Sequence, residues 1–298
     1  GGGLVSILPD LRAVLRALAA EVEVLPAIGG AVEDLERPDF EEREDQALNE
    51  DEKVFETVFE RDPAAPGLRL YRPVPPQGRT QNHLYRYFLD GSFRSYFLGT
   101  VLENERESPV HFAQIGACIL RREEDGAVRR EILCLENILL AGKQRLSEQV
   151  WQRLAELTAQ SGLKLLDLTE QDIVSGVLSD FDLRNKAAGK VRYAMRRLEA
   201  EAMGAILPRL SEETWLIVDG SLLFDPLLQQ LSGGETIPPV IGVSKNFRKD
   251  PQFVFGRGPR AERRSIYRLL ADLPAEHRTA AFSARGGRVV FWYVRLRE

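Results

Sequence analysis

The sequence is poor in the residues that bind zinc or form disulfides. Its 298 residues include two cysteines and three histidines, and the histidines are dispersed. A structural zinc site needs a full set of such ligands in closely spaced pairs, which this chain does not supply. Cys118 and Cys134 both lie in apolar, strand-like runs. We therefore expect two buried free thiols in a reducing cytosol, with a disulfide between them as the alternative.

Long apolar runs are also absent from the sequence. No stretch approaches the roughly 20 residues that a membrane-spanning helix requires, and no charged-then-apolar signal segment opens the chain. We therefore expect a cytoplasmic protein without membrane contact. With 44% hydrophobic and 29% charged residues, the composition is that of a globular chain with a full core, in one large domain or two smaller ones.

The net charge of −5 conceals an uneven distribution of charge along the chain. Residues 33–62 contain 14 acidic and 4 basic side chains, so the rest of the chain is basic overall. The basic remainder permits a positively charged face for a polyanion, despite the acidic isoelectric point.

The first 80 residues are predicted to form a helical arm and a linker. Leu11, Leu15, Leu18 and Val22 recur at helical spacing and predict a helix over 4–36 that breaks near two glycines. Acidic residues follow, and they enclose an apolar stripe of Val54, Phe55, Val58 and Phe59. We interpret this stripe as part of a helical arm that packs on the core or on a partner subunit, with a solvated charged run as the alternative for 41–51.

Prolines and glycines concentrate in residues 63–80 and mark a linker. The predicted organisation is therefore an N-terminal arm with an acidic, proline-rich linker (1–80) and a second domain (81–298). Within that domain, residues from about 137 to 185 are predicted to form a helical insertion.

A short phrase occurs twice in the second domain. Asp90-Gly91-Ser92 and Asp219-Gly220-Ser221 each follow an apolar, strand-like run. A carboxylate at the end of a buried strand is costly unless it is paired, and two adjacent carboxylates favour a divalent cation between them. We therefore expect a metal site built from Asp90 and Asp219. The alternative is that Asp-Gly simply forms a turn after each strand.

The order of predicted elements indicates a fold class. The strand region that leads into Asp90, with a further piece at Tyr96–Val101, comes before two antiparallel strands joined by a turn at Glu123–Gly126. A helical stretch, a basic helix over 185–203 and the strand that ends at Asp219 come next. This is the order of the ribonuclease H-like α/β fold, a mixed sheet flanked by helices whose first and fourth strands are adjacent and parallel. A glutamate on the helix before the fourth strand completes its acidic cluster, and we choose Glu199 over Glu201.

The chain resembles the NurA nucleases, the DNA-end-processing partners of HerA-type hexameric ATPases. The resemblance covers roughly residues 81–298. It is carried by five short motifs in order: Phe88-Leu89-Asp90-Gly91-Ser92 with Arg94, Arg196-Arg197-Leu198-Glu199, Leu216-Ile217-Val218-Asp219-Gly220-Ser221-Leu222, Ile241-Gly242-Val243-Ser244-Lys245 and Phe291-Trp292-Tyr293-Val294-Arg295-Leu296.

The resemblance implies a Mn²⁺- or Mg²⁺-dependent nuclease that cuts single-stranded DNA and resects duplex ends. The apolar stripe Val54–Phe59 and the helix over 4–36 suggest a homodimer or docking of the ATPase. Asp90, Glu199 and Asp219 would be the metal ligands, and two ions would activate water and stabilise the leaving oxygen. Lys245 would hold the scissile phosphate and Tyr293 would be the family's late tyrosine. A solvated lysine and a core aromatic are the alternatives for these two residues.

One departure from the family is the late histidine, because the last histidine of the sequence, His277, comes too early and is expected in a loop. The missing histidine favours the alternative of a catalytically impaired ribonuclease H-like adaptor for an ATPase. The repeated Asp-Gly-Ser phrase permits a second alternative, an actin-like phosphotransferase, which also uses Asp-Gly turns. The basic run 246–264 is expected to form a loop, followed by a helix at 265–273. For the nuclease, we expect the basic segments Lys186–Arg197 and Lys245–Arg264 to line the path of the DNA.

Overall fold

A computed structural model describes the chain over residues 11–27, 54–57, 69–75, 84–169, 180–232, 237–244, 252–255, 262–284 and 287–297. The chain forms two compact units, the first from 1–40 and 87–210 and the second from 41–86 and 211–298. This division differs from the single boundary at residue 80 that the sequence predicts. The difference arises because each unit combines an N-terminal segment with a later part of the chain.

The helices of the described residues are α1 (Leu11–Ala19), α2 (Glu148–Gln160), α3 (Asp180–Ile206), α4 (Asp225–Leu231) and α5 (Ile266–Ala271), with short 3-10 turns at Lys143–Arg145 and Leu207–Arg209. The strands are β1 (Glu23–Pro26), β2 (Val54–Thr57), β3 (Tyr71–Pro73), β4 (Tyr85–Glu103), β5 (Arg106–Arg122), β6 (Val128–Ala141), β7 (Lys164–Asp167), β8 (Trp215–Asp219), β9 (Val240–Val243), β10 (Gln252–Phe255), β11 (Glu262–Ser265), β12 (His277–Thr279), β13 (Phe282–Ala284), β14 (Val289–Phe291) and β15 (Val294–Arg295). Within the described ranges, no helix has the length and apolar character needed to cross a membrane.

The first unit contains a mixed sheet flanked by helices. Its strands follow the order β7-β6-β5-β4, and β1 pairs with the far part of β4. The pairs β4–β5 and β5–β6 are antiparallel, as predicted, whereas β7 runs parallel to β6. The predicted turn between β5 and β6 is also confirmed, since the Glu123 N–H donates to the Ala127 carbonyl at 2.8 Å.

Helices cover both faces of this sheet. Alternate residues of a strand point to opposite faces, so Phe112 and Ala117 of β5 lie on different faces. On the Phe112 face, α1 and α2 build a core with Leu18 and Leu154, both fully buried. On the Ala117 face, α3 packs against β5 and β6.

The strand that carries Asp90 is longer than the sequence predicts. We expected a strand to end at Asp90 and another to begin at Tyr96, but β4 is continuous over 19 residues. It continues because β5 pairs with it throughout, with Asp90 opposite Cys118 and Ser92 opposite Gly116. The turn interpretation of the first Asp-Gly-Ser phrase is therefore wrong.

The prediction of a helix over 4–36 is correct for α1 and wrong for residues 20–27, whereas 4–10 and 28–36 lie outside the described residues. The helix ends at Ala19, and the chain then forms β1, in which Val24 lies opposite Val101 of β4. Val22 and Val24 pack against the same core as Leu18. The pairing of β1 with β4 therefore places these two valines on the core, where a longer helix would not have placed them. Residues 11–27 are thus part of the first unit rather than a separate arm.

The segment predicted as a helical insertion contains strand as well as helix. It includes the end of β6, α2 and the additional strand β7. Ser147 caps α2, since its hydroxyl accepts from the Val150 N–H at 3.3 Å and its own N–H donates to Glu103 Oε2 at 2.6 Å. Residues 170–179 of this segment lie outside the described residues.

The second unit contains three groups of strands. β8 and β9 are parallel, a five-stranded sheet has the order β11-β10-β2-β13-β14, and a three-stranded sheet has the order β15-β12-β3. A core of Phe253, Ile266, Leu269 and Phe282 packs between α5 and the five-stranded sheet. The predicted helix at 265–273 is observed as α5, with Ser265 as its N-cap.

Two predictions for this unit are wrong. Residues 54–57 were expected in a helical arm but form β2, which pairs with β10 and β13. Val58 and Phe59, the rest of the predicted apolar stripe, lie outside the described residues. The basic run 246–264, expected as a loop, contains β10 and most of β11.

Candidate metal and nucleic-acid site

Glu199 reaches the strand that carries the first Asp-Gly-Ser phrase. Helix α3 buries Val191, Leu198 and Ala202 as its spacing predicts, and Glu199 follows Leu198 into the interface with 4% of its surface exposed. A Cβ atom at Gly91 would lie 2.6 Å from the Glu199 Oε1 atom. Glycine at position 91 therefore makes room for this carboxylate.

Asp90 lies directly before Gly91 and is exposed. Its side chain leaves β4 on the other face of the strand, together with those of Ser92 and Arg94. The Glu199 carboxylate thus lies against the main chain at Gly91, the residue after Asp90. The Asp90 side chain leaves the strand on the opposite, exposed face.

The burial of Glu199 has an electrostatic cost that positive charge must offset. An ionised carboxylate is expensive to remove from water without a nearby cation. The Arg196 Nε atom lies 4.0 Å from Glu199 Oε2, at the outer limit of an ion pair. Glu201, the alternative glutamate, is instead exposed and pairs with Arg197 Nη2 at 3.5 Å. Of the two glutamates, Glu199 is therefore the one that contacts the Asp-Gly-Ser strand.

The second Asp-Gly-Ser phrase belongs to the second unit and has a different geometry. Asp219 is the exposed last residue of β8, as predicted, and Gly220 follows with φ +135°, a conformation that favours glycine. The Gly220 N–H donates to the Val243 carbonyl at 2.9 Å, which fixes the turn against β9. The same three residues therefore form a strand end here and a strand interior at Asp90.

Lys245 and Tyr293 are the two remaining residues of the predicted site, and the structure describes only Tyr293. Lys245 lies outside the described residues; the described part of β9 ends beside Asp219, which pairs with Val243. Tyr293 is described, and its ring contacts Phe253 and Phe291 at centroid distances of 6.1 and 5.9 Å. Its ring is therefore part of the aromatic core of the second unit.

His277, excluded from the predicted site, lies in β12 rather than in a loop. Its Nδ1 atom is 2.8 Å from the Ala275 carbonyl oxygen. The Tyr293 N–H donates to the side-chain Oγ1 of Thr279 at 3.1 Å, which joins the closing segment to the same strand.

The cysteines are free, as expected, but half-buried rather than fully buried. Cys118 lies opposite Asp90, and Cys134 lies opposite Ala117 on the face that α3 covers. Partial burial raises the pKa of the Cys134 thiol, with smaller contributions from the carboxylates of Glu201 and Glu136.

Asp90 and Glu199 carry donor atoms that a hard divalent cation prefers, but Glu199 lies on the Gly91 face of β4 and the Asp90 side chain leaves the strand on the other face. Carboxylate oxygens are the ligands that Mg²⁺ and Mn²⁺ prefer. In the part of the chain that the structure describes, no group of three His, Cys, Asp or Glu side chains is close enough to hold a metal ion.

Sequence reasoning missed two features of this site. It did not identify Gly91 as the contact of Glu199, and it did not recognise the exposed residues of β5 and β6 beside Asp90. The alternation of Leu133, Leu135 and Asn137 with Cys134 and Glu136 was the available signal for that face.

Comparison with models of known protein families finds no match to this chain. Comparison with curated proteins finds no match either.

Proposed function

We propose that this protein is a divalent-metal-dependent DNA nuclease of the NurA kind, which cuts single-stranded DNA and resects duplex ends with a HerA-type hexameric ATPase. The main support is the carboxylate of Glu199, which is buried against Gly91 of the Asp-Gly-Ser strand. The predicted helix thus supplies its glutamate to the residue next to Asp90.

The proposed metal ligands are Asp90, Glu199 and Asp219, and the metal is Mn²⁺ or Mg²⁺. Two such ions would activate a water molecule and stabilise the leaving oxygen of a phosphodiester. Asp90 and Asp219 offer exposed carboxylates, and Glu199 orients its carboxylate from a packed helix. Lys245 is the proposed ligand of the scissile phosphate, and a role for the Tyr293 hydroxyl stays a prediction.

The ribonuclease H-like fold is also part of this proposal. It is supported by the chain order of the elements, in which β4, β5 and β6 are antiparallel and precede the helix with Glu199. The strand that ends at Asp219 follows that helix, and a parallel strand comes after it. Two free thiols fit a cytoplasmic location, and a homodimer is also part of this proposal.

Cleavage of labelled single-stranded DNA in the presence of Mn²⁺ tests the proposal. Asp90→Asn, Glu199→Gln and Asp219→Asn should each lower the rate by at least about 10–100-fold, the loss caused even by residues that only support a metal ligand. Glu201→Gln is the matched control, because it changes an exposed glutamate on the same helix. Its rate should equal that of the parent protein.

Other results would support the two alternative functions. Nucleotide hydrolysis without DNA cleavage favours a phosphotransferase of the actin-like class. Inactivity in both assays, with the ATPase present, favours an adaptor. Equal rates for the parent and the three variants would contradict the assigned metal ligands.

A further inference from the structure

The exposed face of the first unit's sheet carries apolar side chains in the same rows as Asp90. Asp90 lies opposite Cys118 of β5, which lies opposite Leu133 of β6. Because neighbouring strands are about 4.8 Å apart, Leu133 is about 10 Å from Asp90 across the sheet. We call the apolar surface beside Asp90 the platform, and it consists of Cys118, Leu120, Leu133 and Leu135.

The platform is open to solvent. Leu120, Leu133 and Leu135 are 38%, 44% and 45% exposed. Leu135 extends over Gly116, where a Cβ atom would lie 2.9 Å from its Cδ2, so no side chain at position 116 interrupts the surface. Farther along the same face, Phe112 is buried under the core that α1 and α2 form. The helices therefore leave the Asp90 end of this face uncovered.

Three arginines share this face with the platform. Arg94 extends from the strand of Asp90, Arg130 lies opposite Leu120, and Arg122 lies two residues after Leu120. The Arg122 guanidinium lies 4.9 Å above the ring of Phe88. Among the residues that the structure describes, none of these three arginines forms an ion pair. Their charge is therefore available to an anionic ligand.

A cleft continues the platform at the edge of the sheet. It has a volume of about 430 Å³ and is lined by Leu135, Glu136, Asn137, Gly162, Leu163 and Lys164. Lys164 Nζ lies 3.4 Å from Glu136 Oε2 on one wall. Apolar surface thus leads from the row of Asp90 to a concave site whose wall includes the Lys164–Glu136 ion pair.

We propose that the platform binds the unpaired bases of single-stranded nucleic acid. An unpaired base can lie against apolar side chains and can stack on an arginine plane, and cations beside it neutralise the phosphates. A duplex keeps its bases stacked inside, so an apolar surface of this kind selects an unpaired strand. The position of the scissile phosphate at Asp90 rests on the proposed nuclease function, whereas the contact with bases does not.

Binding without metal tests the platform independently of cleavage. The probe is a fluorescent oligothymidylate, titrated with the full chain in EDTA and followed by anisotropy. The double variant Leu133→Ser/Leu135→Ser should weaken binding by about tenfold, because it replaces the apolar surface that the bases would cover with polar side chains. Leu25→Ser is the matched control, because Leu25 is 47% exposed in the same unit but lies on β1.

The outcomes separate the platform from the nuclease activity. Weaker binding by the double variant, with the control and the thermal unfolding midpoint unchanged, supports the platform even if the parent cuts no DNA. Binding of the double variant within about twofold of the parent would overturn it, as would a parent that binds no oligothymidylate. The nuclease proposal has its own test, which is Mn²⁺-dependent cleavage of bis(p-nitrophenyl) phosphate by the parent protein. If the parent cleaves this substrate, the nuclease proposal stands even when the platform proposal has been overturned.

Discussion

The Glu199 carboxylate occupies the space that a side chain at position 91 would need. Oε1, Cδ and Cγ of Glu199 lie 2.6, 2.9 and 3.0 Å from the position of a Cβ atom on Gly91. Because Leu198 and Ala200 on either side are buried, the helix cannot turn this glutamate away without exposing its apolar face. Packing of α3 and the position of the carboxylate are therefore linked.

Gly91→Ala should destabilise the protein by about 1–3 kcal/mol, the usual cost of an extra methyl group in a filled space. The cost should fall to about 0.5 kcal/mol when Glu199 is also changed to Ala, since the clash is then removed. Urea unfolding of the two single variants and the double variant measures this coupling.

Gly189→Ala serves as the control for Gly91→Ala. Gly189 lies inside α3, and a Cβ atom there would meet nothing within 4 Å. The substitution should stabilise the helix by about 0.5–1 kcal/mol, because alanine is the better helix former. If Gly91→Ala lowered the free energy of unfolding by the same amount in the Glu199→Ala background, that result would contradict the proposed clash.

Leu18→Ala tests whether the N-terminal segment belongs to the core of the first unit. Leu18 is fully buried against residues of α2 and the sheet. Its truncation should lower the free energy of unfolding by about 2–5 kcal/mol, whereas Leu25→Ala at an exposed position should change it by about 0.5 kcal/mol or less. Similar small effects for both would mean that the segment is a separate arm.

The elements that the sequence predicts well are those with strong local signals. The turn at Glu123–Gly126 and the N-cap Ser265 have characteristic residues at fixed positions. The order Leu198-Glu199 on the apolar stripe of α3 was enough to prefer Glu199 over Glu201. That preference agrees with the contact at Gly91, although the contact itself depends on the tertiary packing of α3.

The elements that were missed depend on partners far away in the sequence. β4 continues through Asp90 because β5 pairs with it there, and Asp-Gly locally resembles a turn. β1 and β2 are each four residues long. β1 pairs with β4, and β2 pairs with β10 and β13. Short strands of this kind gain their stability from neighbours rather than from their own propensity.

The alkylation rate of Cys134 should report its raised pKa. Iodoacetamide reacts with the thiolate, so the rate follows the ionised fraction as pH increases. In a Cys118→Ser background, the midpoint of this curve should be higher in the folded protein than in urea, because burial and the Glu201 carboxylate disfavour the thiolate. Glu201→Gln should lower the folded midpoint.

The raised pKa of Cys134 also makes the stability of the folded protein depend on pH. A pKa that is raised on folding contributes stability that is fully present below the pKa of the unfolded thiol and is lost as pH rises through the folded value. Stability of the Cys118→Ser protein should therefore fall more with alkaline pH than that of Cys118→Ser/Cys134→Ser. Parallel pH curves for the two proteins would contradict the assigned shift.

Salt dependence should show whether the basic segment before α5 contacts DNA. Arg263 is exposed and lines a cleft of about 420 Å³ with Arg264 and Arg268, while Arg260 of the same predicted segment lies outside the described residues. Arg263→Glu should weaken binding of single-stranded DNA and reduce the slope of log K against log salt by about 0.7, the value for one phosphate contact on a single strand. Arg288→Glu, at another exposed position of the same unit, should reduce affinity through net charge but leave the slope closer to that of the parent. Equal slopes for both variants would mean that Arg263 lies on a solvated face rather than on the path of the DNA.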